Sequence, residues 1–155
     1  MRGKQALKRK IEPDPKYQDT DISKFTNYIM QGGKKSIAQK IIYDCFDIIK
    51  EETKQDPRHI FSKALKNVSP LLEVRGRRVG GANYQIPYQV RGERRFTLAC
   101  RWIIAAAKAK KGKRMAVRLA DEIIASAKGE STSVKKKNDV QKMAESNKAF
   151  AHFAR

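Results

Sequence analysis

Apolar residues recur every three or four positions along most of the chain, a period that is typical of helices with one buried face. The widest apolar stripe belongs to a helix that starts near Lys35 and ends in the charged segment EETKQ, with Ile37, Ile41 and Ile48 among its apolar positions. The same period, read together with capping residues, predicts five more helices. The first helix begins at Asp19–Asp21 and is closed by Gly32-Gly33, and the third begins after Asp56-Pro57 and stops before Pro70. The fourth and fifth run over about 93–108 and about 113–128. The last begins at about Val134, and its buried face consists of Val140, Met143, Ala144, Asn147 and Phe150.

A period of two replaces the helical period over residues 71–91, between the third and fourth predicted helices. Apolar and polar residues alternate on both sides of Gly80-Gly81, a pair that tolerates the positive φ of a tight turn. Pro87 cannot donate a ladder hydrogen bond, which restricts its strand to an edge. We therefore predict a mainly α protein of one domain, residues 1–155: a six-helix bundle with a two-stranded antiparallel β-ribbon that projects between the third and fourth helices.

The chain is strongly cationic, because 35 Lys and Arg residues against 16 Asp and Glu residues give a net charge of +19. A charge of about +2 to +8 would keep a small domain in solution. The excess attracts polyanions, which makes nucleic acids and anionic membranes the candidate partners. The longest apolar run, Trp102–Ala107, is far shorter than the ~18 residues that span a bilayer. Because no apolar segment follows the basic start MRGKQALKRK, we also expect no secretory signal, no membrane partner and a cytoplasmic location.

Residues that could carry catalysis or bind a metal are scarce. His59 and His152 are the only histidines, lie far apart in the chain and show no metal-ligand spacing with Cys45 and Cys100. Both cysteines fall on apolar faces of predicted helices, where a free thiol packs as a small hydrophobe. We therefore expect no enzymatic activity, no cofactor, no metal site and no small-molecule substrate.

The segment QGGKKS at 31–36 is similar to a phosphate-binding loop only in its glycines and lysines. It lacks the spacing of that motif and follows a predicted helix rather than a strand. A helix end followed by a basic helix start accounts for it, although Lys34 and Lys35 at a helix N-terminus are also suited to bind a phosphate group.

Lys and Arg residues are concentrated in five clusters, each at a helix end, in a loop or on the ribbon. These are a basic N-terminal arm (residues 1–18), Lys34-Lys35, the ribbon arginines, residues 108–118 and residues 135–137. Such positions can share one surface, which suits a phosphate backbone whose neutralisation releases counterions. Taken alone, the cluster at 135–137 is equally well explained as a solvated helix face.

Two kinds of nucleic acid fit these clusters. Architectural DNA-binding proteins kink DNA with an apolar wedge on a basic arm, but Pro87 lies well down its strand from the turn and no helix-turn-helix spacing is apparent. A ribbon with scattered basic loops suits a folded RNA, which proteins recognise by shape, phosphates and 2′-hydroxyls. Tyr84, near the ribbon tip, is suited either to stack on a base or to pack against the helices. RNA is the favoured partner, with DNA as the alternative.

Five segments resemble the bacterial family of small-subunit ribosomal protein seven, and together they extend over nearly the whole chain. They are PDPKY at 13–17, GGKKS at 32–36, LEVRGRRVGGANYQIP at 72–87, RR-x-x-LA-x-RW at 94–102 and MAESNKAFAHF at 143–153. The resemblance implies six helices with a β-ribbon arm and a protein that binds the three-prime major domain of small-subunit ribosomal RNA (rRNA). It also implies nucleation of head assembly, and a position near the exit-site tRNA, the mRNA path and neighbouring small-subunit proteins of the head and platform.

The resemblance and the basic clusters together define the predicted site. The residues expected to bind rRNA are Arg2, Lys4, Lys8, Arg9, Lys10, Lys34, Lys35, Arg75, Arg77, Arg78, Arg94, Arg95, Lys108, Lys110, Lys111, Lys113, Arg114, Met115, Arg118, Lys135, Lys136 and Lys137. The residues expected to lie near tRNA and mRNA are those of the ribbon tip: Val79, Gly80, Gly81, Ala82, Asn83 and Tyr84.

Overall fold

A computed structural model describes Gly3 and residues 10–154. Of the predicted arm, residues 1, 2 and 4–9, with the cations Arg2, Lys4, Lys8 and Arg9, lie outside the described residues. The elements in chain order are α1 (Thr20–Ile29), α2 (Lys35–Thr53), α3 (Pro57–Val68), β1 (Leu72–Val79), β2 (Ala82–Gln89), α4 (Gly92–Ala109), α5 (Met115–Lys128), α6 (Thr132–Ser146) and a 3₁₀ helix (Lys148–Ala154). The predicted class, mainly α with an antiparallel ribbon between the third and fourth helices, is confirmed. In the described part of the chain, no helix combines the length and apolarity that crossing a membrane requires.

In the first compact part, which includes the described residues 10–40, α1 starts as predicted. The carboxylate of Asp19 accepts a hydrogen bond from the backbone N–H of Asp21 at 2.7 Å, which satisfies one free donor of the first turn. The prediction that Gly32-Gly33 closes this helix is wrong, because the chain already leaves helical geometry at Met30. Both glycines have positive φ, 56° and 73°, and form the turn that leads into α2.

The described residues from 41 onward form a second compact part, in which α5 packs against α3 and α4, and α6 contacts all three. Its core includes the fully buried side chains of Ile42, Ile103 and Ile123. The rings of Phe46 and Phe61 lie 5.7 Å apart in a tilted aromatic contact, as expected for core residues. The single domain predicted over the whole chain stays a prediction.

The apolar stripe predicted for α2 is narrower than the sequence pattern suggests. Ile42 and Cys45 are fully buried, Ile41 and Ile48 are half-buried, and Ile37 is 54% exposed. A packed helix covers only one stripe of its surface, and Ile37 lies outside that stripe. The inclusion of Ile37 in the buried face is therefore wrong.

The ribbon strands pair in antiparallel register, and Gly80 and Gly81 have the positive φ that a tight hairpin turn requires. Residues directly opposite each other share a face of a ribbon. The register therefore puts Arg75 beside Ile86 and Arg77 beside Tyr84. Ile86 is fully buried, so two of the predicted RNA-binding arginines share the covered face of the ribbon.

The last predicted helix is shorter than expected. α6 ends at Ser146, where the side chain of Asn147 donates a hydrogen bond to the carbonyl of Met143 at 2.8 Å and competes with a further helical turn. Phe150 lies in the following 3₁₀ helix. Of the predicted buried face only Ala144 is fully covered, and the assignment of Met143 is wrong, because that side chain is 51% exposed.

Candidate nucleic-acid interface

The base of the ribbon gathers two predicted RNA-binding arginines around one buried carboxylate, Glu73, which is 8% exposed. Arg75 donates two hydrogen bonds to one carboxylate oxygen, and Nε of Arg94 lies 3.3 Å from the other. The guanidinium of Arg75 also lies 5.4 Å from the centre of the Tyr88 ring, within range of a cation–π contact. Both arginines are otherwise exposed, so each can present its remaining donors to an anion from a fixed position.

The predicted tip residue Tyr84 packs against the C-terminal 3₁₀ helix. Its ring lies 5.1 Å from the ring of Phe150 and 5.5 Å from the ring of Phe153. Arg77 donates a hydrogen bond to the carbonyl of Phe153 at 2.6 Å. The sequence leaves two roles open for Tyr84, stacking on a base and packing against the helices. The structure supports packing, and the partner is the C-terminal 3₁₀ helix.

The open face of the ribbon presents Arg78, which is paired with Asn83 across the strands. Both residues are exposed, as are Gly80, Gly81 and Ala82, whereas Val79 is half-buried. The tip therefore offers an accessible guanidinium together with main-chain groups.

The loop between α4 and α5 carries the largest basic cluster, and several of its cations have partners within the protein. Nζ of Lys113 lies 3.2 Å from a carboxylate oxygen of Asp121. Arg118 donates hydrogen bonds to the carbonyls of Lys108 and Lys110. Lys108, Lys111, Lys113 and Arg114 are exposed, whereas Lys110, Met115 and Arg118 are half-buried.

Lys110 makes the most buried ion pair of this loop. Its Nζ lies 2.9 Å from a carboxylate oxygen of Glu122, which is 1% exposed. Glu122 also accepts hydrogen bonds from the backbone N–H and the hydroxyl of Ser133. Burial alone would raise the pKa of Glu122, but the contacts with Ser133 and Lys110 outweigh it and hold the pKa below its usual value. The carboxylate is therefore charged at neutral pH.

The basic cluster on α6 is divided between an internal contact and the surface. Nζ of Lys137 donates to the carbonyl of Asn67 at 2.9 Å, in the last turn of α3, where a cation is favoured. Lys135 and Lys136 are exposed. Of this cluster, Lys135 and Lys136 are therefore the residues best placed to contact an external anion.

The remaining predicted cations differ in accessibility. Lys10, Lys34 and Lys35 are exposed, and Lys35 is the first residue of α2, where helix geometry favours an anion. Arg95 is half-buried, and its Nε has no hydrogen-bond partner among the described residues; the same holds for Nε of Arg118.

Reasoning from the sequence missed Glu73 and Glu122 as members of the site. Glu73 lies among ribbon arginines, and Glu122 interrupts the apolar stripe of α5 between Leu119 and Ile123. A carboxylate on an apolar stripe must be paired if it is buried, which is the signal that marks Glu122 in advance. Its partners could not be identified from the sequence, because they lie on other elements.

The chemistry of the site is that of an anion-binding surface. Over Gly3 and residues 10–154, no cluster of three or more His, Cys, Asp or Glu side chains is arranged to hold a metal ion. Burial raises the pKa of the Cys45 thiol, with a further contribution from the charge of Asp121, so the reactive thiolate is disfavoured. The exposed Lys and Arg groups are suited to contact an extended polyanion.

Comparison with known proteins identifies relatives over nearly the whole chain. The family model described as ribosomal protein S7p/S5e matches residues 1–148. The small ribosomal subunit protein uS7 of Pseudothermotoga lettingae is 57% identical over 153 residues, which is 99% of each chain. That of Thermotoga maritima is 54% identical over the same length, and that of Salinibacter ruber is 56% identical over 146 residues, 94% of this chain and 93% of the relative.

Proposed function

Because the chain belongs to the ribosomal protein S7p/S5e family, it is a structural constituent of the small ribosomal subunit and not an enzyme, and we propose that it fulfils this role by binding small-subunit rRNA through its exposed basic clusters. The small subunit of bacteria lies in the cytoplasm. The observation that carries the proposal is 57% identity to a uS7 protein over 99% of both chains.

The charge distribution supports an RNA-binding surface. A net charge of +19 is far beyond what solubility needs. Exposed cations of the described clusters are suited to phosphate contacts, whose counterion release supplies sequence-independent affinity. They include Lys34, Lys35, Arg78, Lys108, Lys111, Arg114, Lys135 and Lys136.

The cations that contact a carboxylate of the protein have a different role in the same proposal. Arg75, Arg94, Lys110 and Lys113 each contact a carboxylate, which fixes the direction of the side chain before RNA arrives. A side chain that is already ordered loses less entropy on binding. These residues contact rRNA with the N–H donors that their contacts with carboxylates do not use.

The finer assignment rests on the family resemblance of the ribbon and the N-terminal segments. According to this resemblance, the protein binds the three-prime major domain of small-subunit rRNA and nucleates assembly of the head of the subunit. The ribbon tip, residues 79–84, lies near the exit-site tRNA and the mRNA path, and other small-subunit proteins of the head and platform are neighbours of the protein.

The experiment that tests the proposal compares binding to a head-domain rRNA fragment with binding to duplex DNA, each titrated with salt. We expect tighter binding to the RNA fragment at every salt concentration, with a steep loss of affinity as salt rises. Equal affinity for both would favour the architectural DNA-binding alternative. That alternative has no support from the ribbon, since Pro87 pairs with Val74 and lies away from the tip.

A further inference from the structure

The buried carboxylate of Glu122 joins three segments of residues 41–155. One oxygen lies 2.9 Å from Nζ of Lys110, the residue that directly follows α4. The other accepts hydrogen bonds from the N–H and hydroxyl of Ser133, in the first turn of α6. One side chain of α5 thus holds the end of α4 and the start of α6.

Three buried serine hydroxyls extend this contact into α6. Ser126 donates to Ser131 at 2.9 Å, and Ser133 lies 3.2 Å from Ser126 and 3.1 Å from Ser131. Ser131 also accepts a hydrogen bond from the N–H of Val134 at 3.1 Å and so caps α6. This network fixes where α6 begins, and with it the exposed Lys135 next to Val134.

The same carboxylate steadies the loop between α4 and α5. Lys110 is held by its ammonium group, and its carbonyl receives the guanidinium of Arg118. Lys113 is held by Asp121, the chain neighbour of Glu122. The exposed Lys111 lies between Lys110 and Lys113, and the exposed Arg114 lies between Lys113 and Arg118. Each of these flanking residues makes a contact within the protein.

We propose that Glu122 is a positioning residue for RNA binding. Through Lys110 and Ser133 it sets the spacing between the exposed cations of the α4–α5 loop and those at the start of α6, so that both clusters meet phosphates of one RNA. The inference rests on the proposed rRNA-binding function and adds to it a role for a buried anion. Its physical basis is preorganisation, because a loop that is ordered in the free protein need not be ordered on binding.

A positioning role for Glu122 and net charge alone predict opposite changes in RNA affinity when the carboxylate is removed. Glu122→Gln adds one unit to a net charge of +19, and a more cationic protein should bind a polyanion more tightly. Gln keeps the shape of Glu and can still accept a hydrogen bond from Ser133, but it loses the charged contact that holds Lys110. A positioning role requires that E122Q weaken binding despite its added charge.

The test is a salt titration of binding between the full chain and a head-domain rRNA fragment. The matched control is Glu130→Gln, which makes the same change in charge at an exposed residue between α5 and α6. We expect E122Q to bind about ten-fold more weakly than wild type, the loss that corresponds to ordering one backbone residue. Its dependence on salt should be shallower, because fewer phosphates are neutralised together. E130Q should bind as tightly as wild type or slightly more tightly.

A second variant leaves the charge unchanged and serves if E122Q does not fold, as checked by circular dichroism at the assay temperature. Ser133→Ala removes one support of Glu122 and should weaken binding about three-fold. E122Q binding as tightly as E130Q, or S133A binding like wild type with an unchanged salt dependence, would overturn the inference while the proposed function stands. Failure of the wild-type chain to bind the fragment would overturn both.

Discussion

The ring of Tyr84 lies 5.1 Å from the ring of Phe150, and this contact joins the ribbon near its tip to the C-terminal 3₁₀ helix. Phe153 adds a ring contact at 5.5 Å and a carbonyl that accepts a hydrogen bond from Arg77. A two-stranded ribbon is only marginally stable by itself. The 3₁₀ helix therefore supplies support that the outer part of the ribbon needs.

We expect Phe150→Ala to loosen the outer ribbon without unfolding the protein. An aromatic pair contributes ~0.5–1.5 kcal/mol beyond the area it buries, so amide hydrogens around Arg77 and Tyr84 should exchange several-fold faster, while those of α5 keep their rates. Tyr84→Phe keeps the ring and is the control. Unchanged exchange near Tyr84 in F150A would show that the ring contact does not support the ribbon.

Glu73→Gln should lower the free energy of unfolding by ~1 kcal/mol. It removes charge-assisted contacts with Arg75 and Arg94, whose exposure to water limits their strength. The measurement is the midpoint of urea denaturation at an unchanged m-value. Glu51→Gln, an exposed change of the same charge on α2, is the control, and a midpoint for E73Q at or above that of E51Q would exclude a stabilising role for the cluster.

The helices and the ribbon could be predicted from the sequence because their signals are local. At the start of α3, for example, the carboxylate of Asp56 accepts a hydrogen bond from the N–H of Arg58 at 2.9 Å, and Pro57 occupies the first helical position. Gly80-Gly81 identified the hairpin turn in the same way, since both residues adopt positive φ. Caps, turns and periods depend on neighbours in the chain, which a single sequence displays.

Partners that lie far apart in the chain could not be predicted in this way. Net charge predicted a polyanion as partner, but it did not show that Lys137 bonds to Asn67 or that Lys110 pairs with Glu122. Those contacts depend on how α3, α5 and α6 pack. The sequence shows which residues are cationic, and the structure shows which of them are bonded to other groups of the protein.

Acid should destabilise the wild-type protein more steeply than E122Q. Burial alone would raise the pKa of Glu122, but Ser133 and Lys110 lower it below the ordinary value of 4.5. A carboxylate with a lowered folded-state pKa contributes stability that is fully present above its unfolded-state pKa and is lost as pH falls through the folded-state pKa. Denaturation midpoints measured from neutral pH to below about 4 should therefore fall less for E122Q, whereas parallel pH curves would contradict the assignment.

Arg78→Ala should weaken binding to the rRNA fragment by ~1–3 kcal/mol and reduce the slope of log affinity against log salt by about one. Arg78 is exposed on the open face of the ribbon, so no large loss of stability should accompany the change. Arg58→Ala is the matched control, because Arg58 is an exposed arginine outside the basic clusters that pairs with Asp56. Equal effects of both substitutions would mean that net charge alone governs binding.

Hydroxyl-radical footprinting of complete small-subunit rRNA by the full chain tests the central claim most directly, since it reports where the exposed clusters meet the RNA backbone. We predict protection confined to the three-prime major domain, and loss of part of that protection when Lys111 and Arg114 are both replaced by Ala. Protection spread evenly over all domains, or none at concentrations that saturate binding, would contradict the account.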